Sequence, residues 1–303
     1  LGLMGGSFAR ALHQGGHEVL AWNRTRSTLE LAMVDTVDAE LTDEAIGSCE
    51  LCILAGYPQM SIDWLSEREE LISPGAIVID VAGVKRRVCE ACFPIARRHD
   101  WRFVGCHPMA GTQYAGYAHS RATMFKDAPM VMVAPDDMDD IGRLDVLDRI
   151  ERLLEPCGFG QFTVTTAERH DEVIAFTSQL AHVVSNAYVK SPVAMTHQGF
   201  SAGSYRDLTR VARLNAPMWR ELMLDDADNL SREIGTLIKN LQQYQDALDA
   251  LDGERGGRRL DVGVGHGPGD ERGIRGIGEH LVDERGQGGP GLLDPAPHVA
   301  RCH

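Results

Sequence analysis

Short apolar runs alternate with helix-length amphipathic stretches over residues 1–165 of the chain. The runs are rich in β-branched and aromatic residues and are bounded by turn residues, which favours β-strands. They read HEVLAW, ELCILAGY, GAIVIDVAG, WRFVGCH, APMVMVAP and GQFTVTT. Strands that alternate with helices form a mostly parallel sheet covered by helices on both faces. The pattern therefore predicts an α/β domain over residues 1–165, with ligands bound at the carboxyl ends of its strands.

Helical periodicity replaces the strand pattern after about residue 166 and predicts an all-α domain over residues 166–252. Helices are expected from Ala167 to Ser191, in SYRDLTRVARL and in a long run that starts at Pro217. In the last helix, apolar residues recur in alternating steps of four and three, which is a heptad seam. They are Leu230, Ile234, Leu237, Leu241, Tyr244, Leu248 and Leu251. Such a seam packs either within the same chain or against a second subunit.

No charged residue occurs between Ile174 and Val189, which predicts a largely buried helix. Ser178, His182 and Ser185 nevertheless share one face of this helix. Because buried polar atoms need hydrogen-bond partners, these side chains are expected to line a wet or ligand-filled cleft. Hydrogen bonds to a neighbouring helix are the alternative.

The composition changes abruptly at Gly253. Residues 253–303 are saturated with glycine and have almost no aromatic content. Such a segment buries too little apolar surface to offset the entropy of ordering. The sequence therefore predicts a disordered tail over residues 253–303.

The 303-residue chain has 43% hydrophobic residues and a net charge of −14. Its longest apolar runs fall far short of the ~20 residues of a membrane span, and no export leader precedes them. We therefore expect a soluble, cytoplasmic protein. Nucleic acids and anionic membranes attract positive charge, so the acidic balance argues against both as partners and favours a small-molecule ligand.

Two CxxC pairs, Cys49/Cys52 and Cys89/Cys92, are among the seven cysteines and superficially suit a four-thiolate zinc site. The pairs are farther apart than the usual ~15–20 residues between zinc knuckles, and they lie in strand-like and helix-like runs. We therefore expect buried free thiols and no metal.

The chain opens on the motif GLMGGS, with glycines at Gly2, Gly5 and Gly6, followed by a helix and a strand. This pattern is the dinucleotide-binding fingerprint of a Rossmann-type domain, in which bare backbone lets a pyrophosphate approach a helix N-terminus. The first glycine of the fingerprint would precede Leu1, so the chain is expected to be a fragment. The candidate cofactor-binding residues are Gly2, Leu3, Met4, Gly5, Asn23, Arg24, Thr25 and Ala55.

The loop after HEVLAW indicates which dinucleotide binds. An acidic residue there would bind the ribose 2′-hydroxyl of NAD, but this chain has Asn23, Arg24, Thr25 and Arg26. The two arginines can pair with a 2′-phosphate. The loop therefore favours NADP over NAD, unless both arginines only solvate the loop.

His107 ends the strand-like run WRFVGCH, at the edge of the sheet where a cofactor is expected. Pro108 and Gly111 turn the chain away, which disfavours a core histidine, and no HxxxH or acidic cluster stands nearby to complete a metal site. A neutral imidazole beside a nicotinamide can take the proton of an alcohol while the same carbon gives up a hydride. His107 is therefore the candidate acid/base, with a structural role as the alternative.

Arg206 and Arg210 stand one helical turn apart in SYRDLTRVARL. They either form surface ion pairs with Asp207 and its neighbours or grip a substrate carboxylate. A dianionic substrate would need such a local cationic patch, because the chain as a whole is acidic.

Six motifs, in this order, make the chain similar to the prephenate dehydrogenases of tyrosine biosynthesis, within aromatic amino acid biosynthesis. They are GLMGGS, DVAGVK (Asp80 to Lys85), HPMAGT, HDEVIAFTSQLAH (His170 to His182), RDLTRVA and APMW (Ala216 to Trp219). The resemblance covers roughly residues 1–252. It implies an NAD(P)-dependent oxidative decarboxylation of prephenate to 4-hydroxyphenylpyruvate and carbon dioxide, and a homodimer formed through the helical domain.

The resemblance also implies the roles of single residues. His107 matches the histidine that accepts the proton of the ring hydroxyl as hydride leaves for the nicotinamide. Arg210 matches an arginine that holds a substrate carboxylate, and Trp219 matches a nearby aromatic wall. The candidate substrate-binding residues are His182, Arg210, Thr112, Gln113, Gly83 and Trp219.

Two positions depart from the common family pattern. Gly83 stands where many members have a serine that contacts the catalytic histidine, so the orientation of His107 must come from elsewhere. Gln113 stands where other members have a glutamate, which removes a charge that could pair with the amine of arogenate and favours prephenate.

Three alternatives stay open at this point. The first is an arogenate dehydrogenase, and the second is another NADP-linked two-domain dehydrogenase of the 3-hydroxyacid type. The second would need a lysine on the helix that here carries His182 and no interior lysine. The third, from a different class, is a non-catalytic cofactor-binding protein.

Overall fold

The computed structural model describes residues 1–112, 114–135 and 137–249. The predicted tail, the heptad residue Leu251 and the candidate Gln113 therefore lie outside the described residues. Residues 1–239 cluster as one compact unit, and the described residues 240–249 belong to a second. The predicted domain boundary at residue 165 stays a prediction.

The strands form two sheets, and the larger one carries the candidate site. The strands are β1 (Leu20–Ala21), β2 (Ala39–Glu40), β3 (Leu51–Leu54), β4 (Ile77–Asp80), β5 (Arg102–Pro108), β6 (Pro129–Val133) and β7 (Gln161–Val164). β1 pairs with β2, while β3 to β7 form a five-stranded sheet in chain order. Only the β5–β6 pair is antiparallel. The predicted mostly parallel sheet is confirmed, and only the two-residue β2 had no predicted counterpart.

Helices cover both faces of the larger sheet. Those of the first half are α1 (Leu3–Gln14), α2 (Arg26–Ala32), α3 (Asp43–Ile46), α4 (Pro58–Arg68), α5 (Arg86–Ala96) and α6 (Asp140–Leu153). Alternate strand residues point to opposite faces: Val78 and Phe103 pack in the cluster that includes α4 and α5, and Ile77 and Val104 pack in the cluster that includes α1 and α6. The sheet is therefore a rigid platform whose β5 ends near His107.

The second half is helical, as predicted. Its helices are α7 (Ala167–Ile174), α8 (Ala181–Tyr188), α9 (Gly203–Thr209), α10 (Ala216–Asp225) and α11 (Ala227–Asp249), and a π-helical turn, Ala175–Leu180, joins α7 to α8. Insertions of this kind are frequent at functional sites. None of the described helices has the length and apolar character needed to cross a membrane.

The prediction that the charge-free helix is largely buried was wrong in part. Ser185 and Gln179 are buried, but Phe176 is 60% exposed and Tyr188 is 46% exposed. Within the segment, α8 packs on α9, and the opposite apolar face has no cover within the described residues. The absence of charge therefore marks an uncovered apolar face as well as a buried one.

The long helical run predicted from Pro217 is helical in the structure but divided, because Asp226 separates α10 from α11. The buried Asp226 carboxylate accepts hydrogen bonds from Arg86 at 2.7 Å, Asn229 at 2.7 Å and Gln179 at 3.2 Å. A carboxylate with this many donors is fixed in place, and the chain turns around it. Along the heptad seam of α11, exposure rises from 5% at Leu230 to 71% at Leu248.

Candidate active site

A cavity of about 750 Å³ opens beside the start of α1, which is within the range typical of small-molecule sites. α1 follows Gly2, whose missing side chain leaves open space around its α-carbon. Its first-turn N–H groups have no helical acceptor and can bind an anion. A side chain at Gly5 would approach the β-carbon of Ala55 to 3.0 Å. The glycines therefore keep the backbone accessible, as a pyrophosphate requires.

The cavity gathers most of the predicted cofactor-binding residues. Its walls include Gly2, Gly5, Asn23, Arg24, Thr25 and Ala55. Leu3 and Met4 do not line it, because their side chains pack on the hydrophobic core beneath α1. Their contribution is confined to the N–H groups of the helix start. These residues fit a dinucleotide whose pyrophosphate lies at α1 and whose adenosine ribose reaches the loop after β1.

The two arginines of that loop differ in their surroundings. Arg26 donates to Glu30 at 3.2 Å and to Glu40 at 2.5 Å, and Glu40 raises its pKa through a hydrogen bond. Arg24 is exposed, lines the cavity and makes no ion pair among the described residues. Only Arg24 is therefore available to a 2′-phosphate without breaking an existing pair.

His107 lies at the carboxyl end of β5, the edge that the sequence predicted. Its Nδ1 atom is 2.8 Å from Nε2 of His170, on α7. The ring centroids of the two histidines are 5.1 Å apart. Burial, then His170, then Lys85 lower the pKa of His107 well below its usual 6.5. His107 is therefore a neutral imidazole at neutral pH, as a general base requires.

His170 is held in turn by Asp171. The Nδ1 atom of His170 is 2.7 Å from Oδ1 of Asp171. The same carboxylate accepts the backbone N–H of Lys85 at 2.7 Å and that of Arg86 at 2.9 Å. The start of α5 and the start of α7 thus meet at one buried carboxylate, directly behind the two histidines.

A buried ion pair lies under the same edge of the sheet. Asp80, the last residue of β4, pairs with the Lys85 ammonium, and both side chains are fully buried. Asp80 also accepts the backbone N–H of Ala82 at 2.9 Å and that of Cys106 at 3.1 Å. The pair ties the β4–α5 loop to the residue that precedes His107 and so fixes the base of the site.

A second group of candidate residues surrounds His182 on α8. The ring of His182 lies 4.1 Å from that of Trp219, centroid to centroid, on α10. Its Nδ1 lies 2.9 Å from the carbonyl oxygen of Val211. A carbonyl only accepts, so the proton is on Nδ1 and Nε2 is free to accept. Arg210, next to Val211, is exposed, has no ion-pair partner in the described ranges, and contributes to the lowered pKa of His182 after burial.

The stripe of polar residues on the same helix is partly explained by packing. Ser185 donates to the carbonyl of Leu208 at 2.6 Å, and Asn186 donates to the carbonyl of Ala212 at 3.0 Å. These bonds join α8 to the segment around α9, which is the alternative stated for the stripe. His182 differs from these two residues, because its Nε2 atom has no hydrogen-bond partner among the described residues and its ring lies against Trp219.

The remaining candidates lie in loops of the nucleotide-binding half. A side chain at Gly83 would come within 3.3 Å of Leu222, so α10 packs closely on the β4–α5 loop. Thr112 is exposed, and its Oγ1 accepts from the backbone N–H of Tyr114 at 3.2 Å. No hydrogen bond, ion pair or ring contact between described residues joins the His107 group to the His182 group. The two groups would form one site only around a ligand that contacts both.

Two family models match the chain. Residues 8–160 match the nucleotide-binding domain of prephenate dehydrogenase, and residues 166–260 match the prephenate dehydrogenase dimerization domain. The chain belongs to the prephenate dehydrogenase family. The expected family, the dinucleotide-binding domain and the helical domain are confirmed.

Individual members of the family, and solved structures, are similar over most of the chain. Prephenate dehydrogenase of Bacillus subtilis is 25% identical over 273 residues, which cover 84% of this chain and 70% of the relative. The crystal structure of Synechocystis arogenate dehydrogenase is 25% identical with a TM-score of 0.71, covering 86% of this chain and 94% of that one. The structure of prephenate dehydrogenase from A. aeolicus in complex with hydroxyphenyl propionate and NAD⁺ has 23% identity, a TM-score of 0.73 and coverages of 86% and 92%.

The structure adds two residues to the candidate site that were not singled out from the sequence. They are His170 and Asp171, which stood in a quoted motif without a role. The available signal was a histidine and an aspartate side by side at the start of a predicted buried helix, where ionisable groups need partners. Their partner His107, 63 residues earlier, could not be identified from spacing.

Proposed function

We propose that this protein catalyses the NAD(P)-dependent oxidative decarboxylation of prephenate to 4-hydroxyphenylpyruvate. Family membership gives the reaction class. We assign His107 as the base because its imidazole is neutral, lies at a strand end and has its Nδ1 atom in contact with His170. The remaining ring nitrogen is then the group that meets the substrate.

In the proposed reaction, His107 Nε2 accepts the proton of the ring hydroxyl as the adjacent C–H bond breaks. The nicotinamide, when bound, is the hydride acceptor. The bond to the ring carboxylate then breaks, and its electron pair completes the aromatic ring as carbon dioxide leaves. His107 returns its proton to the phenolic oxygen, so the base is regenerated in each turnover. The neutral state of His107 in the free protein matches this cycle.

The side-chain carboxylate of prephenate is assigned to the His182 group. Arg210 supplies a cation without an ion-pair partner among the described residues, His182 supplies an acceptor, and Trp219 supplies an aromatic wall against a ring. A guanidinium binds a carboxylate through two parallel hydrogen bonds. The separation of this group from His107 is consistent with a substrate that is held at one end and reacts at the other.

Replacing Arg210 with alanine is expected to raise KM for prephenate by about 10- to 100-fold with a small change in kcat, because a carboxylate grip contributes mainly to binding. Steady-state kinetics over a wide range of prephenate concentrations measure this split. Arg206→Ala, one turn away on α9, is the matched control and should leave KM within about threefold. Equal effects of the two variants would remove Arg210 from the site.

The reaction itself is tested by supplying purified protein with prephenate and NAD or NADP and following the absorbance of the reduced nicotinamide. Turnover of prephenate supports the proposal, and no turnover with either prephenate or arogenate refutes it. Arogenate is the second candidate substrate, because one similar structure is an arogenate dehydrogenase. Gln113 in place of a glutamate favours prephenate, and a higher kcat/KM for arogenate would reverse that choice.

We propose that the protein prefers NADP to NAD because Arg24 can pair with the 2′-phosphate. Replacing Arg24 with alanine is expected to weaken NADP binding by about tenfold, or about 1.4 kcal/mol, and to leave NAD binding nearly unchanged, because only NADP carries the 2′-phosphate. Fluorescence titration with both dinucleotides measures the difference. Arg26→Ala is the matched control, since Arg26 is committed to Glu30 and Glu40. An NAD affinity tenfold better than that of NADP in the unaltered protein would overturn the preference.

A homodimer formed through the helical domain is the proposed assembly. It is supported by the match to a dimerization domain and by the apolar face of the π-turn and α8, where Phe176 and Tyr188 are exposed. Light scattering in solution would measure the mass of the particle. The cytoplasmic location stays a prediction from the sequence.

A further inference from the structure

We propose that His170 is a positioning residue that places the proton of His107 on Nδ1 and so leaves Nε2 as the base. The inference rests on the proposed role of His107 in proton transfer. The contact between β5 and α7 would then orient the His107 ring. Gly83 cannot do so, because it has no hydroxyl group.

The hydrogen-bond roles at Asp171 are unambiguous. Its oxygens face four donors: the backbone N–H of Lys85, the backbone N–H and the guanidinium of Arg86, and the ring of His170. Although burial favours the neutral acid, these hydrogen bonds outweigh it and the pKa of Asp171 is lowered. An ionised carboxylate can only accept hydrogen bonds. The proton between it and His170 therefore lies on Nδ1 of His170.

The tautomer of His107 follows from that of His170. Burial lowers the pKa of His170 despite the hydrogen bond from its ring to Asp171, so the ring is neutral at neutral pH and holds only the Nδ1 proton. Its Nε2 is then an acceptor. His107 Nδ1, 2.8 Å away, must donate to it. The one tautomer of His107 that satisfies the contact has a bare Nε2.

Burial is the main reason that both rings are neutral, and the charged groups around them act in both directions: Asp171 and Asp80 raise the pKa of His170, whereas Lys85 lowers it. Lys85 lowers the pKa of both histidines, and its charge is paired with Asp80. Arg86 lies on the far side of Asp171, at 3.4 Å from Oδ2, and also pairs with Asp226. Burial and Lys85 therefore disfavour a second proton on either ring, and Asp171 fixes the position of the proton that is present on His170.

The relay also joins the two halves of the site. Asp171 and His170 open α7, whereas the N–H groups that hold Asp171 open α5. A helix N-terminus stabilises an anion, so the carboxylate is held by the same loop, DVAGVK, that carries Asp80 and Lys85. The position of His107 is thus set from the helical half and from the sheet together.

The test compares two variants of His170 with a matched pair at His99. His170→Phe keeps the size of the ring and removes the acceptor. We expect kcat to fall by about 10²-fold with KM within about threefold, because the base then has the wrong tautomer part of the time and its ring is no longer held in one orientation. His170→Gln restores an acceptor near Nε2 and should recover kcat to within about tenfold of the unaltered protein. His99 is a half-buried histidine with a carboxylate partner, Glu69, and it lies outside the candidate site, so His99→Phe and His99→Gln should leave kcat unchanged.

A second measurement does not depend on the reaction. Nitrogen-15 shifts of His107 in the free protein should report a proton on Nδ1, and in His170→Phe a mixture of the two tautomers. Equal kcat for His170→Phe and the unaltered protein, or a proton on Nε2 of His107 in the unaltered protein, would overturn the proposal. If prephenate is not turned over but the Nδ1 tautomer is found, the proposed function fails and the positioning role stands. If His170→Phe does not fold, His170→Gln and the spectrum of the unaltered protein decide.

Discussion

Replacing His107 with asparagine is expected to lower kcat for prephenate by about 10²- to 10⁴-fold, with a smaller effect on KM. Asparagine can still donate a hydrogen bond to His170 and fill much of the same space. It cannot accept and return a proton, which is the step assigned to Nε2. Steady-state and single-turnover kinetics with prephenate and NAD(P) measure the loss of the chemical step.

The pH dependence of kcat/KM in the unaltered protein should also report the protonation of His107. The pKa of His107 lies below 6.5, the usual value for histidine. The imidazole therefore stays neutral down to pH 6.5, and kcat/KM should decline only below that pH. His99→Asn is the control, since His99 stacks on Trp101 within the nucleotide-binding half. An unchanged rate in His107→Asn would make His107 structural, and an acid limb centred above pH 6.5 would contradict its lowered pKa.

Much of the fold could be predicted because most strands of the larger sheet lie in apolar runs bounded by turn residues. Ile77 to Asp80 is buried throughout, so its signal in the sequence is continuous. The two-residue β2 escaped prediction because a pair of residues has no periodicity. The break at Asp226 escaped for a different reason: its hydrogen bonds to Arg86 and Gln179 join residues far apart in the sequence.

The candidate site divides in the same way. His107 could be singled out from local sequence, because a strand end followed by Pro108 has a recognisable pattern. His170 could not be connected with it, since the contact exists only once α7 packs at the end of β5. Likewise, the pair of Arg26 with Glu30 is local in the sequence, but its pair with Glu40 exists only because β2 brings Glu40 beside Arg26. Local chemistry is therefore readable from the chain, whereas pairing between elements requires the fold.

Replacing Lys85 with methionine is expected to lower the free energy of unfolding by about 3–5 kcal/mol, the largest stability effect at the site. The ammonium is fully buried against Asp80, and methionine fills similar space without a charge. The Asp80 carboxylate would then keep two backbone N–H donors, from Ala82 and Cys106, but would lose its counter-ion. Urea unfolding measures the loss, and the exposed Lys190→Met should change stability by less than about 0.5 kcal/mol.

The double variant Asp80→Asn/Lys85→Met separates lost charge pairing from lost packing. Asparagine carries no charge, so no isolated ion is left in the core, and one of its polar atoms can still accept from a backbone N–H. We expect the double variant to be more stable than Lys85→Met alone, which is a non-additive result typical of residues in contact. If the double variant is less stable by the sum of the single effects, Lys85 stabilises the loop through its hydrocarbon chain and not through Asp80. Because the same loop holds Asp171, loss of the pair should also reduce kcat at temperatures where the protein remains folded.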